Sequence, residues 1–270
     1  VTTLAQDLRT GHTSTWYYGT GELRGNSAGA GGAPFRGDGI YKSTDGGKSW
    51  SVLSSTSNDK PQIFDSNFNY VWTVQVAPSN GYVIAATYNG IKRSIDGGDT
   101  WTLSGIGGKV YALYFIDENK GWASGYSTTP LYSKIIHTTD SGETWEMQYE
   151  EPGGRTWIHF ENSLEGWAVS VDGVILHTEN GGVSWETQVS NLSVKLTDVF
   201  FLDEETGWTV GEEGKIISTV DGGNNWIIQE SNTSRSLYSI YAKDINDVWV
   251  TGSNGIILHY KETSLINKDD

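Results

Sequence analysis

The chain has 270 residues, with 33 Asp and Glu against 18 Lys and Arg, a net charge of −15; this balance favours solubility and repels nucleic acid and anionic lipid as partners. It contains no cysteine, which excludes disulfides, cysteine metal sites and thiol nucleophiles. No apolar run is long enough to cross a membrane and no basic-plus-apolar leader opens the chain, so any targeting segment is expected to have been removed or never present.

Read in chain order, the residues fall into six units, about 1–58, 66–106, 108–150, 154–191, 195–232 and 235–265. The first starts with an apolar strand at Val1–Leu4, continues through Trp16-Tyr17-Tyr18-Gly19 and closes on Ser43-Thr44-Asp45-Gly46-Gly47-Lys48-Ser49-Trp50. The same eight-residue pattern ends the next four units, at Ser94–Trp101 with Asp96, Thr138–Trp145 with Asp140, Thr178–Trp185 with Asn180, and Thr219–Trp226 with Asp221. The tryptophans Trp50, Trp101, Trp145, Trp185 and Trp226 stand 51, 44, 40 and 41 residues apart. A period near 40 residues with turn chemistry and a fixed aromatic predicts a blade array. An Asp or Asn side chain accepts backbone N–H bonds that close such a turn, glycine supplies positive φ, and Trp covers the hairpin. These acids resemble those of calcium loops, but no bidentate Glu stands at the twelfth position, so no metal is expected.

A second signature runs in step: Gly121-Trp122, Gly166-Trp167, Gly207-Trp208 and Val248-Trp249. An alternating apolar segment precedes each, at Val110–Phe115, Trp157–Phe160, Val199–Phe201 and Leu237–Tyr241. A further strand follows, at Ile135–His137, Val174–His177, Lys215–Ser218 and Ile256–His259. Each unit therefore reads as three strands, a turn and a short outer strand. The sixth has no such turn, and Leu265-Ile266 is the candidate for its outer strand. The expected fold is all-β: a single propeller domain over 1–270, of six blades with mostly four antiparallel strands, a seventh blade from further sequence being the alternative. His137, His177 and His259 share that periodicity and read as scaffold.

Two stretches interrupt the pattern. Glu22–Asp38 is Gly-rich and carries Glu22, Arg24, Phe35, Arg36 and Asp38; Tyr126–Lys134 carries Tyr126, Pro130 and Tyr132. Long loops on a rigid scaffold are where ligands bind. The first is no phosphate loop, since it has no Gly-Lys-Ser/Thr and no helix after it. Lys109, Arg155, Lys195 and Arg235 each stand just before a first strand. They are candidates for a cationic arc suited to a carboxylate, an anionic glycan or an acidic peptide, or else each pairs with an acid of its neighbourhood. Tyr70, Tyr111, Trp157 and Tyr238 lie near the same positions. Glu22, Asp38, Glu161 and Asp198 are acids that a glycosidase reading requires to meet at that end, although nothing in their spacing marks a pair. Neither a Gly-x-Ser-x-Gly elbow nor a His-Glu-x-x-His zinc motif is present.

The turn pattern resembles the Asp-box, or BNR repeat, of sialidases, sortilin-type receptors, xyloglucan-cleaving glycosidases and photosystem II assembly factor-like proteins. The resemblance implies that these turns lie on the face opposite the binding site. The segments Gly166–Thr178 and Gly207–Thr219 are most similar to the photosystem II stability and assembly factor group, and their basic arc to the arginine patch of its photosynthetic members. Trp16–Glu22 and Gly39–Gly47 resemble sortilin-type and glycosidase-type propellers of secreted bacterial proteins. Together these imply a secreted, periplasmic or surface propeller, non-catalytic and without cofactor, binding a protein or an anionic glycan, within a larger assembly or alone. A glycoside hydrolase is the alternative.

Overall fold

The computed structural model describes residues 3–21, 36–60, 66–104, 109–128 and 130–261. Their strands form six antiparallel sheets, five of four strands and the last of three, and within each sheet consecutive strands are neighbours. Three short 3-10 turns are the only helices among the described residues. The fold is thus an all-β propeller of six blades, one sheet for each sequence unit. The chain divides into two compact units, 1–158 and 159–270.

In the first unit, sheet one comprises Thr3–Gln6, Trp16–Gly19, Ile40–Ser43 and Ser51–Val52. Sheet two comprises Val71–Val76, Val83–Thr87, Gly90–Ser94 and Thr102–Ser104, and sheet three Lys109–Phe115, Gly121–Thr128, Leu131–Thr138 and Glu146–Pro152. Tyr17, Ile40, Val71, Val74, Val83 and Ala85 pack one cluster, and Ile84, Ala86, Ile91, Val110, Leu113, Ala123, Ile136 and Trp145 a second. Val83–Thr87 is buried along its whole length. A strand covered on both faces has no polar side to show, and this one reads as an unbroken apolar run, Val-Ile-Ala-Ala, before its Thr. The Tyr126–Lys134 interruption is not a loop. It prolongs the middle hairpin of sheet three, with Tyr126 opposite Ser133 and Ser127 opposite Tyr132, and the outer strand runs alongside to Pro152.

Sheet four opens with Thr156–Phe160 and continues in the second unit with Gly166–Ser170, Ile175–Thr178 and Glu186–Gln188. Sheet five comprises Leu196–Phe201, Thr206–Gly211, Ile216–Val220 and Ile227–Gln229; sheet six Leu237–Asp244, Asp247–Gly252 and Ile257–Lys261. Trp208, Val210, Leu237, Ile240, Ala242, Val248 and Val250 form the core between the last two. The outer strand expected at Leu265-Ile266 lies outside the described residues.

The second signature has a packing cause. A Cβ on Gly121, Gly166 or Gly207 would overlap the ring of Phe115, Phe160 or Phe201, which closes the first strand of the same sheet. A Cβ on Gly125 or Gly211 would meet the carbonyl of Lys109 or Lys195. These two glycines therefore admit the backbone approach at the register shift between first and second strands. His137 and His177 stack on Trp122 and Trp167 at 4.8 and 4.7 Å, and His259 on Trp249 at 3.7 Å, which gives the histidines a packing role.

All five repeated turns close alike. In the first, the Ser43 hydroxyl donates to Asp45 at 2.8 Å and accepts the Gly47 N–H at 2.9 Å, while Asp45 takes the Ser49 N–H and hydroxyl at 2.9 and 2.6 Å. Asn180 makes the same turn, with its amide donating to the Ser184 hydroxyl at 2.8 Å. The side chains of Ser49, Thr100 and Asn225, followed by backbone amides, hold Asp45, Asp96 and Asp221 below the usual carboxylate range. A carboxyl with a depressed folded pKa stabilises the fold above its unfolded pKa, and that contribution is lost as pH falls through the folded value. Replacing Asp96 by Asn is therefore expected to leave a folded protein, as Asn180 does naturally. Its urea midpoint should fall less steeply than that of the unmodified chain as pH drops below about 4. Parallel curves would refute the assignment.

The turns also join neighbouring sheets. Ser55 donates to the Gly98 carbonyl at 2.5 Å and accepts the Trp101 indole N–H at 3.2 Å. Ser104 bridges the Gly142 carbonyl and the Trp145 indole in the same way. Gln188 donates to the Gly222 carbonyl at 2.8 Å and accepts from Trp226 at 3.3 Å. Ser55, Ser104 and Gln188 thus each hold a glycine carbonyl and the tryptophan indole of the following turn.

Candidate functional site

The register sets Lys109 opposite Tyr126 at one end of sheet three, and Phe115, Gly121 and Thr138 together at the other, where the repeated turn begins. In sheet five, Leu196 is opposite Gly211 at one end and Phe201, Gly207 and Thr219 meet at the turn end. Within each of these sheets the cation and the turn lie at opposite ends.

At the cation end of the first unit the aromatic side chains are continuous. Tyr70 contacts Tyr88 at 5.8 Å between ring centroids, Tyr88 contacts Trp72 at 6.4 Å, Trp72 contacts Tyr111 at 4.7 Å, and Tyr111 stacks on Tyr126 at 5.6 Å with 3° between planes. The Lys109 ammonium sits 5.8 and 5.7 Å from the rings of Tyr88 and Tyr126, and the Arg155 guanidinium 4.6 Å from Tyr111. The ring faces hold both cations by their quadrupoles. No carboxylate among the described residues lies within ion-pair distance of either. The Tyr111 hydroxyl is buried and makes no hydrogen bond of ordinary geometry. Burial raises its pKa, with the adjacent Tyr126 adding to the effect. For Tyr126, burial acts upward but is outweighed by Tyr111 and by the Lys109 and Arg155 charges, and its pKa is lowered. The cluster therefore offers two cations and a proton donor with no anionic partner among the described residues.

The structure brings together Lys109, Arg155, Tyr126, Tyr111 and Tyr70 of the residues expected from the sequence. Trp157 is half-buried on the first strand of sheet four, and Tyr132 half-buried on the prolonged hairpin of sheet three. Arg36 is among the described residues; Glu22, Arg24 and Phe35 lie outside them. Asp38 accepts from the Ser57 hydroxyl at 2.6 Å. In the second unit, Lys195 donates to Glu212 at 3.0 Å, both exposed, so its charge is answered locally. Arg235 is one residue out of step: Ser236 supplies the carbonyl against Gly252 that Lys195 supplies against Gly211. Arg235 accordingly lines the groove between sheets five and six.

Glu161 is not at the cation end. It starts the turn in which its N–H binds the Glu165 carbonyl, and the Gly181 N–H of the repeated turn binds the Leu164 carbonyl at 2.8 Å. Asp198 accepts the backbone N–H groups of Val199 and Ile240, each at 3.0 Å. The His159 ring lies 3.9 Å from the Glu161 carboxylate and also acts on the charge of Asp198. Among the described residues there is no group of three or more His, Cys, Asp or Glu suited to a metal ion.

Trp72 and Tyr88 escape a reading of the sequence by motif. Aligning the first strands finds Trp72: buried Val71, Val110, Thr156 and Leu196 are followed by Trp72, Tyr111, Trp157 and Thr197.

These sheets and repeated turns define a β-propeller of the BNR type, and it resembles photosystem II assembly factors. Residues 183–265 match the family model described as photosynthesis system II assembly factor YCF48. The photosystem II assembly lipoprotein Ycf48 of Picosynechococcus sp. is 25% identical over 174 residues, covering 61% of this chain and 48% of that protein. The chain thus spans about half the length of this curated relative. A solved structure, YCF48 bound to D1 peptide, superimposes with a TM-score of 0.64 at 18% identity, covering 97% of this chain and 78% of that one. The GH74 enzyme of Niastella koreensis superimposes at 0.68 with 17% identity, covering 95% and 44%. At such identities the two structures show the fold alone.

Proposed function

We propose that this propeller is a non-catalytic, extracytoplasmic binding protein that takes an acidic protein segment at the end of its sheets remote from the repeated turns. The observation that carries this reading is the cluster of Lys109 and Arg155 on Tyr88, Tyr111 and Tyr126. Its cations meet no carboxylate among the described residues, and the Tyr111 hydroxyl beside them is buried without a hydrogen bond of ordinary geometry. An arginine fork and an ammonium on aromatic faces suit a carboxylate, and the rings add contact area for the peptide that carries it. The relative solved with a D1 peptide supports a protein partner, and the lipoprotein name of Ycf48 supports a site outside the cytoplasm. An anionic glycan offers the same carboxylate chemistry but is not favoured by any contact in the cluster.

Fluorescence anisotropy with a labelled acidic peptide tests this. The Lys109→Glu, Arg155→Glu double variant is expected to bind at least about one hundred-fold more weakly, about ten-fold for each reversed charge. The affinity of the unmodified chain should fall as salt is raised from 50 to 300 mM, roughly the range over which exposed charges become screened. A folded double variant with unchanged affinity would overturn the proposal, and turnover of xyloglucan lost in the same variant would favour the glycosidase alternative.

A further inference from the structure

We infer that the groove between sheets five and six is a second docking site, for an extended protein segment whose turn has a glycine three or four residues before a tryptophan. Three junctions establish what such a groove accepts. Ser55 and Ser104 clasp the carbonyl of the glycine three before the tryptophan of the next turn, Gly98 and Gly142, and Gln188 that of Gly222, four before Trp226; each also accepts the indole N–H. Trp167 adds an indole N–H to the Gly222 carbonyl at 3.3 Å.

The counterparts in sheet five are Gln229, three residues past Trp226 as Gln188 is past Trp185, and Trp208. Both line the groove, which measures about 1150 Å³. Nothing in the described part of sheet six enters it as a turn, and the residues at the repeat's position there, 260–267, include neither Gly nor Trp. The Gln229 amide is instead folded back onto the Ser218 hydroxyl at 2.8 Å. Sheet six has three strands, and Ile257–Lys261 has no neighbour beyond it among the described residues. A strand edge of this kind carries unpaired backbone donors and acceptors. Apolar side chains stand beside it: Ile228, Ile257 and Tyr260 are 54%, 64% and 58% exposed.

The occupant follows from continuity with the other junctions. A strand adds antiparallel to Ile257–Lys261 by backbone hydrogen bonds. Its turn brings a glycine carbonyl to the Gln229 amide and an indole N–H to the Gln229 oxygen. Its apolar side chains cover Ile228 and Tyr260. This site uses none of the residues of the Lys109–Arg155 cluster and does not depend on the acidic-segment reading.

The test uses the full chain and a fluorescein-labelled peptide with the sequence of Thr219–Glu230, which holds the turn, its tryptophan and the strand after it. Saturable binding is expected. Gln229→Glu, which keeps the shape but removes the amide donor, should weaken it about ten-fold, the worth of one to two hydrogen bonds. An alanine in place of the peptide's tryptophan should weaken it at least as much. Gln229 is exposed, so the variant is expected to fold, and near-UV circular dichroism checks that it does. Three results overturn the inference: no saturable binding, or equal affinity for all partners; binding seen only after residues 262–270 are removed, which assigns the groove to the chain's own end; or a concentration-dependent dimer lost in Gln229→Glu, which assigns it to a second copy.

Discussion

Replacing Trp167 by alanine is expected to destabilise the protein by about 3–5 kcal/mol, the range for deleting a large buried aromatic. Trp167 is fully buried, stacked on Phe201 at 3.5 Å with 9° between planes and on His177 at 4.7 Å. Its loss leaves a cavity walled by two rigid strands, and the Gly222 carbonyl loses one of its two side-chain donors. The equivalent residue of the last sheet, Trp249, is 42% exposed. Its indole N–H donates to Asp247 at 2.8 Å, within its own sheet. Trp249→Ala should therefore cost much less, about 1–2 kcal/mol for the area it does bury. Urea unfolding of both variants at one pH measures the contrast. Equal losses would mean that the face of sheet six bearing Trp249 is covered in solution, contrary to the exposure of Trp249, Tyr241 and Ile257.

The difference between these two tryptophans also shows where the sequence stops being informative. The repeats reveal the sheets because each copy must solve the same local problem: a turn closed by one acid, a glycine against a Phe ring, a tryptophan over a hairpin. Such constraints fall on a few consecutive residues and recur with the period. Whether a given tryptophan is covered depends on the sheet beside it, and the words Gly-Trp and Val-Trp carry no record of that. The same holds for the cations. Lys109, Arg155 and Lys195 look equivalent along the chain, yet Lys195 meets Glu212, a residue the pattern does not mark. Arg235 precedes its strand by one residue more, and in a structure of period two that places it on another surface. Tyr88 follows a second strand at the register position that Tyr126 holds in sheet three, outside every quoted motif, and joins the site through the chain of ring contacts. The clasp made by Ser55, Ser104 and Gln188 was hidden by its mixed chemistry: a hydroxyl and a carboxamide each pair one donor with one acceptor, so residue identity varies while geometry does not.

Asp198 makes the second large effect, and its sign is opposite to that of the turn acids. Burial is the main influence on its carboxyl and pushes the pKa up to about 6, against the hydrogen bonds from Ile240, Ser239 and Val199 and the nearby His159, which all act downward. The ordinary value is 3.8. An acid with a raised folded pKa contributes stability that is complete below the unfolded value and is lost as pH rises through the folded one. Across the whole titration, from well below pH 4 to well above pH 6, the contribution removed is about 3 kcal/mol, at about 1.36 kcal/mol for each pH unit that separates the folded and unfolded values. The exposed turn acids gain over a lower range and are already ionised through most of this one. Asp198→Asn takes away the titration. Its amide oxygen still accepts one of the two backbone N–H groups, while its NH2 faces the other, so the variant starts with a loss at pH 4. The diagnostic quantity is the trend: the stability of Asp198→Asn relative to the unmodified chain should rise by about 2–3 kcal/mol between pH 4 and pH 6.5 and then level. A difference that stays flat across that window would show that the carboxylate is fully solvated or fully compensated. The junction of Asp198 with Ile240 would then be an ordinary hydrogen bond between the first strands of sheets five and six, with no cost to ionisation.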